Sequence, residues 1–200
     1  MSLVATHLIG FGGSAGAAAS GPVPAWDSSK KAGFFSLSLS DYRATSSASE
    51  SSGSILALTG KSTGLWYVEY LASNAGSGIQ FGIGLSTIST SSTNQSGSYL
   101  WNVSSGGTTA GTSGVGTAGT WSTSTDVLQV AFDATNGQLW FGVNNTYTGS
   151  PSAGTGASLT GISAGTYYMM GALNYDAGGN VLEIQSTQTY SPPTGFSQWD

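Results

Sequence analysis

The sequence predicts an all-β domain, and three observations carry that expectation. Apolar and polar residues alternate at period two in several separate stretches, most cleanly in FFSLSLS (Phe34 to Ser40). Gly numbers 31 in 200 residues, and Ser and Thr crowd the connections, a composition that makes turns rather than helices. Val127 to Pro151, VLQVAFDATNGQLWFGVNNTYTGSP, reads as two successive tight turns joined by strands. No amphipathic helix is found. Six Trp within an aromatic content of 11% supply enough apolar area for a packed core, which argues against disorder.

Residues 1–25 read as an N-terminal arm and tether, and residues 26–200 as one domain. Leu3, Val4, Leu8, Ile9 and Phe11 form a short apolar run that is expected to add a strand to a neighbouring subunit, with Gly12 to Gly21 as a flexible link. Such an arm implies a homo-oligomer or another assembly partner. A signal peptide is the alternative, disfavoured because a positive n-region is missing and His7, Gly10, Gly12 and Gly13 interrupt the run. No apolar stretch reaches the length a membrane-spanning helix needs.

From Trp26 the strands follow in order. Phe34 to Ser40 places Phe35, Leu37 and Leu39 on one face, and Ser46 to Ser54 reads as a polar loop. SILALTG repeats the alternation at Ile55, Ala57 and Thr59. GLWYVEYLAS (Gly64 to Ser73) carries β-forming residues on both faces and is expected to be central and covered on two sides. In QFGIGLS (Gln80 to Ser86), Gly82 and Gly84 are expected to admit a large side chain from a facing sheet. Ser86 to Thr125 is too long for a structureless loop, so a strand is placed at Ser98 to Val103 and a mobile connection at Gly106 to Gly119. In the central meander, a two-residue turn at Asn136-Gly137 sets Phe132 opposite Phe141, Val130 opposite Val143 and Ala134 opposite Leu139, leaving Asp133, Gln138 and Trp140 on the other side. Asn144-Asn145 supplies the second turn, and Thr166 to Leu173 and Asn180 to Ser186 complete the strands.

The succession GLWYVEY, FGIGLS, Trp101, DVLQVAFDATNGQLWFGVNN and YSPPTGF resembles the SPRY domain from about Trp26 to Phe196. Gly64, Trp66, Tyr67 and Glu69 match its first motif, Asp126 and Asp133 flank the matching strand, and Pro193, Gly195 and Phe196 fit its closing segment. The resemblance implies a concanavalin-like jelly roll, a β-sandwich of two antiparallel sheets, that binds peptide or carbohydrate partners through loops and does not catalyse. LNYDAGGNVLEIQS lacks the Asn-x-Gly of many members, and residues 86–125 do not align. The Ser/Thr/Gly-rich, cysteine-free style is similar to that of SPRY-like modules in bacteriophage structural proteins, as is the opening MSLVATHLIGFGG to small virion proteins.

Composition excludes several functions. With four basic residues (Lys30, Lys31, Arg43, Lys61) and net charge −5, no face can be strongly cationic, so nucleic acid is not an expected partner. Zero Cys removes thiolate chemistry and Cys-ligated zinc. A glycoside hydrolase needs two carboxylates facing each other at about 5 to 10 Å, whereas Glu50, Glu69 and Glu183 stand singly. His7 alone offers imidazole, and Asp126, Asp133 and Asp176 are too scattered for a calcium loop. No cofactor or metal is implied. Tyr99, Trp101, Trp121, Trp140 and Tyr147 are the candidate binding residues, a sugar-stacking platform with Ser, Thr and Asn around it. Core packing is the competing reading, least so for Trp140 and Tyr147. The expected role is a non-enzymatic virion protein on the particle exterior, a capsid decoration or head-fibre subunit or a tail-fibre module contacting host-surface glycans, held to other virion proteins by the arm. A cellular adaptor that binds short peptides is the alternative.

Overall fold

The computed structural model describes residues 22–47, 52–73, 78–103, 105–111, 113–117, 121, 124–174 and 179–200. In chain order the strands begin with β1 (Trp26–Lys31), β2 (Phe35–Ser38), β3 (Arg43–Ser46), β4 (Ser52–Lys61) and β5 (Leu65–Ser73). They continue with β6 (Ile79–Leu85), β7 (Ser98–Asn102), β8 (Gly107–Ala110), β9 (Ser113–Thr117) and β10 (Val127–Asp133). The remaining five are β11 (Gln138–Val143), β12 (Thr146–Tyr147), β13 (Tyr167–Asn174), β14 (Val181–Ile184) and β15 (Ser197–Gln198). One sheet runs β1-β4-β13-β6-β7-β8-β9 and the other β12-β11-β10-β5-β14-β3-β2, with β15 also pairing β5. Pairing along both paths is antiparallel, and the only helical turn among the described residues is the 3-10 turn Pro151–Ala153. The chain is an antiparallel two-sheet β-sandwich, as the alternation and the family resemblance imply.

The central meander keeps its predicted faces but not its predicted partners. Asp133 pairs with Gln138, Phe132 with Leu139 and Val130 with Phe141, so the loop has four residues instead of two. Asp133 is the reason: its carboxylate accepts from the Thr135 and Asn136 amides at 3.0 and 2.8 Å and from Asn136 Nδ2 at 2.7 Å. Those bonds favour a wider Asx-type turn, with Gly137 rather than Asn136 taking the left-handed φ of 65°. Because the register moves by two, each side chain keeps its side of the sheet. Asn144-Asn145 is a tight turn with both residues left-handed, φ 49° and 64°.

Other elements depart from expectation for local reasons. The strand expected to run to Ser40 stops at Ser38, because Leu39, Ser40 and Asp41 adopt positive φ; Leu39 is left exposed. Much of Ser46 to Ser54, read as a loop, is strand at its two ends, with residues 48–51 outside the described ones. The connection read as mobile from Gly106 to Gly119 contains the antiparallel pair β8 and β9 at the sheet edge. Gly82 and Gly84 face neighbours in their own sheet: a Cβ on Gly82 would lie 2.1 Å from the Tyr99 carbonyl oxygen, and one on Gly84 2.6 Å from Met170 Sδ. The arm residues Leu3, Val4, Leu8, Ile9 and Phe11 lie outside the described residues, as do His7, Glu50 and Asp176. Val23, placed in the tether by the sequence, is buried in the core.

Aromatic rings link the two inner faces. Tyr70 of β5 lies 5.1 Å from Phe81 of β6, and Phe81 lies 5.6 Å edge-on from Phe141 of β11. The C-terminal segment closes this core. β15 runs parallel to β5 beside Trp66 and Tyr67, and Trp199, fully buried, packs against Phe132 and donates from Nε1 to the Thr59 carbonyl at 3.1 Å.

Candidate functional site

The outer face of the eight-stranded sheet is polar where β5 and β10 meet, and it is covered by chain rather than by a third sheet. Tyr67 and Glu69 of β5 and Gln129 of β10 point outward at the alternation opposite Val68, Tyr70 and Val130, and all three are fully buried. Glu69 accepts from the Tyr67 hydroxyl at 2.6 Å and from the amides of Thr189 and Tyr190 at 2.6 and 2.8 Å. Gln129 Nε2 donates to the Tyr67 hydroxyl at 2.5 Å, while Gln129 Oε1 accepts from the Asn145 amide at 2.6 Å. A buried carboxylate without a cation is tolerable only when its oxygens are filled by donors, and here three fill them. Burial, and then the hydrogen bond to Glu69, pushes the Tyr67 phenol above the ordinary tyrosine range.

Above this network lies a groove of about 570 Å³. One wall follows the Asn144-Asn145 turn, from Asn145 through Ser152; the other is Ser191 to Thr194 of the closing segment. Asn144 clamps the first wall, since its Oδ1 accepts from the Val127 amide at 2.9 Å and its Nδ2 donates to Asp126 at 2.8 Å. Further along, Ser150 and Thr155 bond each other's backbone across the Pro151–Ala153 turn. The walls present hydroxyls, an amide and three prolines, and no lining residue carries a charge at neutral pH. The Tyr147 ring lies over Gly142, where a Cβ would sit 2.9 Å from it, and so makes part of the groove surface. Its hydroxyl is buried without a hydrogen bond of good geometry, and burial raises its pKa.

The five aromatic candidates are not brought together. Tyr147 lines the groove. Trp140 lies beneath it, fully buried with Tyr67, Ala131 and Phe196, because the closing segment and the Ser150 loop cover the face the sequence left open. Its Nε1 donates to the Thr155 carbonyl at 2.9 Å, so it props the wall instead of meeting a ligand. Trp101 is buried between the sheets, 5.3 Å from Phe81, while Tyr99 and Trp121 are half-buried against the same core. Sequence reasoning missed Gln129 and the Ser191 to Thr194 wall. Gln129 was detectable as a polar residue in an otherwise apolar strand; the wall was not, since its place depends on where the chain end docks.

The two-sheet antiparallel sandwich has the fold of SPRY domains. The SPRY domain of human HERC1 superposes with a TM-score of 0.69 at 15% identity, over 82% of this chain and 99% of that one. The TRIM65 PSpry domain gives 0.62 at 12% identity, over 81% and 88%. Stonustoxin gives 0.62 at 14% identity, over 80% of this chain and 28% of its own. At such identities the likeness is one of fold. No protein-family profile and no curated protein matches the sequence.

Proposed function

We propose that this chain is a non-catalytic binding module on the exterior of a bacteriophage virion, in which the groove beside Tyr147 holds a neutral saccharide of the host surface. The groove carries the reading, because it joins hydroxyl and amide groups to the flat apolar surfaces of a tyrosine and two half-buried prolines, Pro192 and Pro193. That mixture suits a sugar ring, whose C–H faces are apolar and whose edges are polar. All four cations are engaged elsewhere, which favours neutral over acidic sugars: Lys30 lies over Tyr168, Lys31 donates to the Phe35 carbonyl, and Arg43 and Lys61 pair with Glu183 and Asp200.

Support for a binding rather than a catalytic role comes from the carboxylates. Glu69 and Asp133 hold backbone amides, and Glu183 pairs with Arg43, so each serves the fold. Support for the virion comes from the low-charge, hydroxyl-rich style and the opening segment described above. The stretch before Val23, which itself belongs to the core, then serves as the attachment to other virion proteins, and capsid decoration, head fibre and tail fibre are its candidate stations.

Two experiments test this. Antibody against residues 26–200, used in immunogold microscopy of purified particles, should label the capsid or the tail; unlabelled particles would remove the virion reading. Immobilised neutral oligosaccharides should retain the protein, and Tyr147→Ala should lose retention by roughly tenfold, the scale of one stacking contact. Retention by short peptides, with no label on particles, would return the cellular adaptor.

A further inference from the structure

We infer that Glu69 is a positioning residue that sets the separation of the two groove walls, acting through a single chain of hydrogen bonds with a buried centre. From one wall to the other the chain runs Thr189 and Tyr190 amides, Glu69, Tyr67 hydroxyl, Gln129 side chain, Asn145 amide, and every link is 2.5 to 2.8 Å long. The outer links at Thr189, Tyr190 and Asn145 are part-buried, while the two central ones are sealed from water, because Tyr67, Glu69 and Gln129 have no accessible surface. In such surroundings each bond polarises the next, and a broken one cannot be replaced by solvent.

Both ends of the chain lie where small shifts become large ones. Tyr190 leads directly into Ser191-Pro192-Pro193, and two successive prolines make a stiff segment, so an anchor at Thr189 and Tyr190 aims the whole wall. Asn145 occupies the tight turn that launches Thr146 and Tyr147. The walls are thus two levers hinged on one carboxylate. The chain also assigns a reason for an acid in WYVEY: a carboxylate offers acceptors at both oxygens, whereas an amide turns one of them into a donor facing an N–H.

The inference is about the walls; only its consequence for affinity rests on the groove being the ligand site. The test is hydrogen exchange by nuclear magnetic resonance on the full chain and the variants Glu69→Gln and Tyr67→Phe, with no ligand present. Glu69→Gln should speed exchange at Thr189 and Tyr190, and also at Asn145 on the opposite wall, by roughly tenfold, while the amide of Val130 in the sheet keeps its rate. Tyr67→Phe cuts the chain in the middle and should speed Asn145 most and Thr189 and Tyr190 to a smaller extent, because Gln129 loses its partner and Glu69 loses one of its three donors. Faster exchange at Thr189 and Tyr190 alone would show independent walls and overturn the inference. A uniform rise that includes Val130 would reduce Glu69 to a general stabiliser and overturn it as well. Should Glu69→Gln fail to fold, Tyr67→Phe decides: faster exchange on both walls with Val130 unchanged supports the inference, and faster exchange at Asn145 alone overturns it. Neutral oligosaccharide retention measured on the same variants then separates the two ideas: altered exchange without any sugar binding by the wild type leaves the coupling standing and removes the saccharide reading.

Discussion

The two faces of the β5-β10-β11 region are equally buried but by opposite chemistry. Val68, Tyr70, Val130, Phe132 and Phe141 face inward onto the other sheet, while Tyr67, Glu69, Gln129 and Trp140 face outward under irregular chain. The cover explains the difference. A facing sheet has spent its backbone groups in its own ladders and offers only side chains, so the inner face must be apolar. Irregular cover brings backbone groups with capacity to spare, the amides of Thr189, Tyr190 and Asn145 and the second lone pair of the Thr155 carbonyl, and each takes a polar partner from the outer face. A polar face here is the receptor for loops, and the loops make the groove.

The largest effect should come from the inner face. Phe141→Ala should cost about 3–5 kcal/mol in urea unfolding, transfer and cavity terms adding. A loss much smaller than that would mean the core collapses around the gap and the contrast is weaker than drawn. On the outer face, Gln129→Leu keeps the volume but removes the acceptor of the Asn145 amide and the donor to the Tyr67 hydroxyl, which keeps its bond to Glu69, for a loss of about 1–3 kcal/mol. Stabilisation instead would show that apolar packing serves both faces equally well. Trp140→Phe removes one donor and keeps much of the ring area. It should cost about 1 kcal/mol and speed exchange at the Ser150 amide, which lies in the propped loop. The smallest effect is expected at the rim, where Lys61→Ala removes a 2.5 Å pair with Asp200 and a ring contact with Trp66 for no more than about 1 kcal/mol. A larger loss, erased by salt, would make the C-terminal latch as important as the core.

The meander shows how far sequence reasoning reaches. Alternation assigned Val130, Phe132 and Phe141 to one side and Asp133 and Trp140 to the other, and the structure agrees. The opposite partners differ from those the Asn-Gly pair predicts because Asp133 accepts from three donors in the four-residue loop. Gly82 reads from sequence as a place of close approach, but the approaching atom is a backbone oxygen of the neighbouring strand, which no side-chain pattern announces. Of the candidate site, Tyr147 was legible as a residue beside a tight turn. Trp140 carried the same outward signal and is nonetheless covered, because Phe196, over fifty positions away in the chain, packs edge-on at 6.2 Å.

Local periodicity and turn chemistry are properties of neighbours in sequence, so the sequence alone determined the all-β class, most strand positions, the side each residue takes and the left-handed turn at Asn144-Asn145. Which face is wet, and with whom a polar residue pairs, depends on contacts between segments far apart in the chain. Only the tertiary structure could decide that the segment after Ile184 folds back over β5, fills the oxygens of Glu69 with its amides and becomes a wall of the groove.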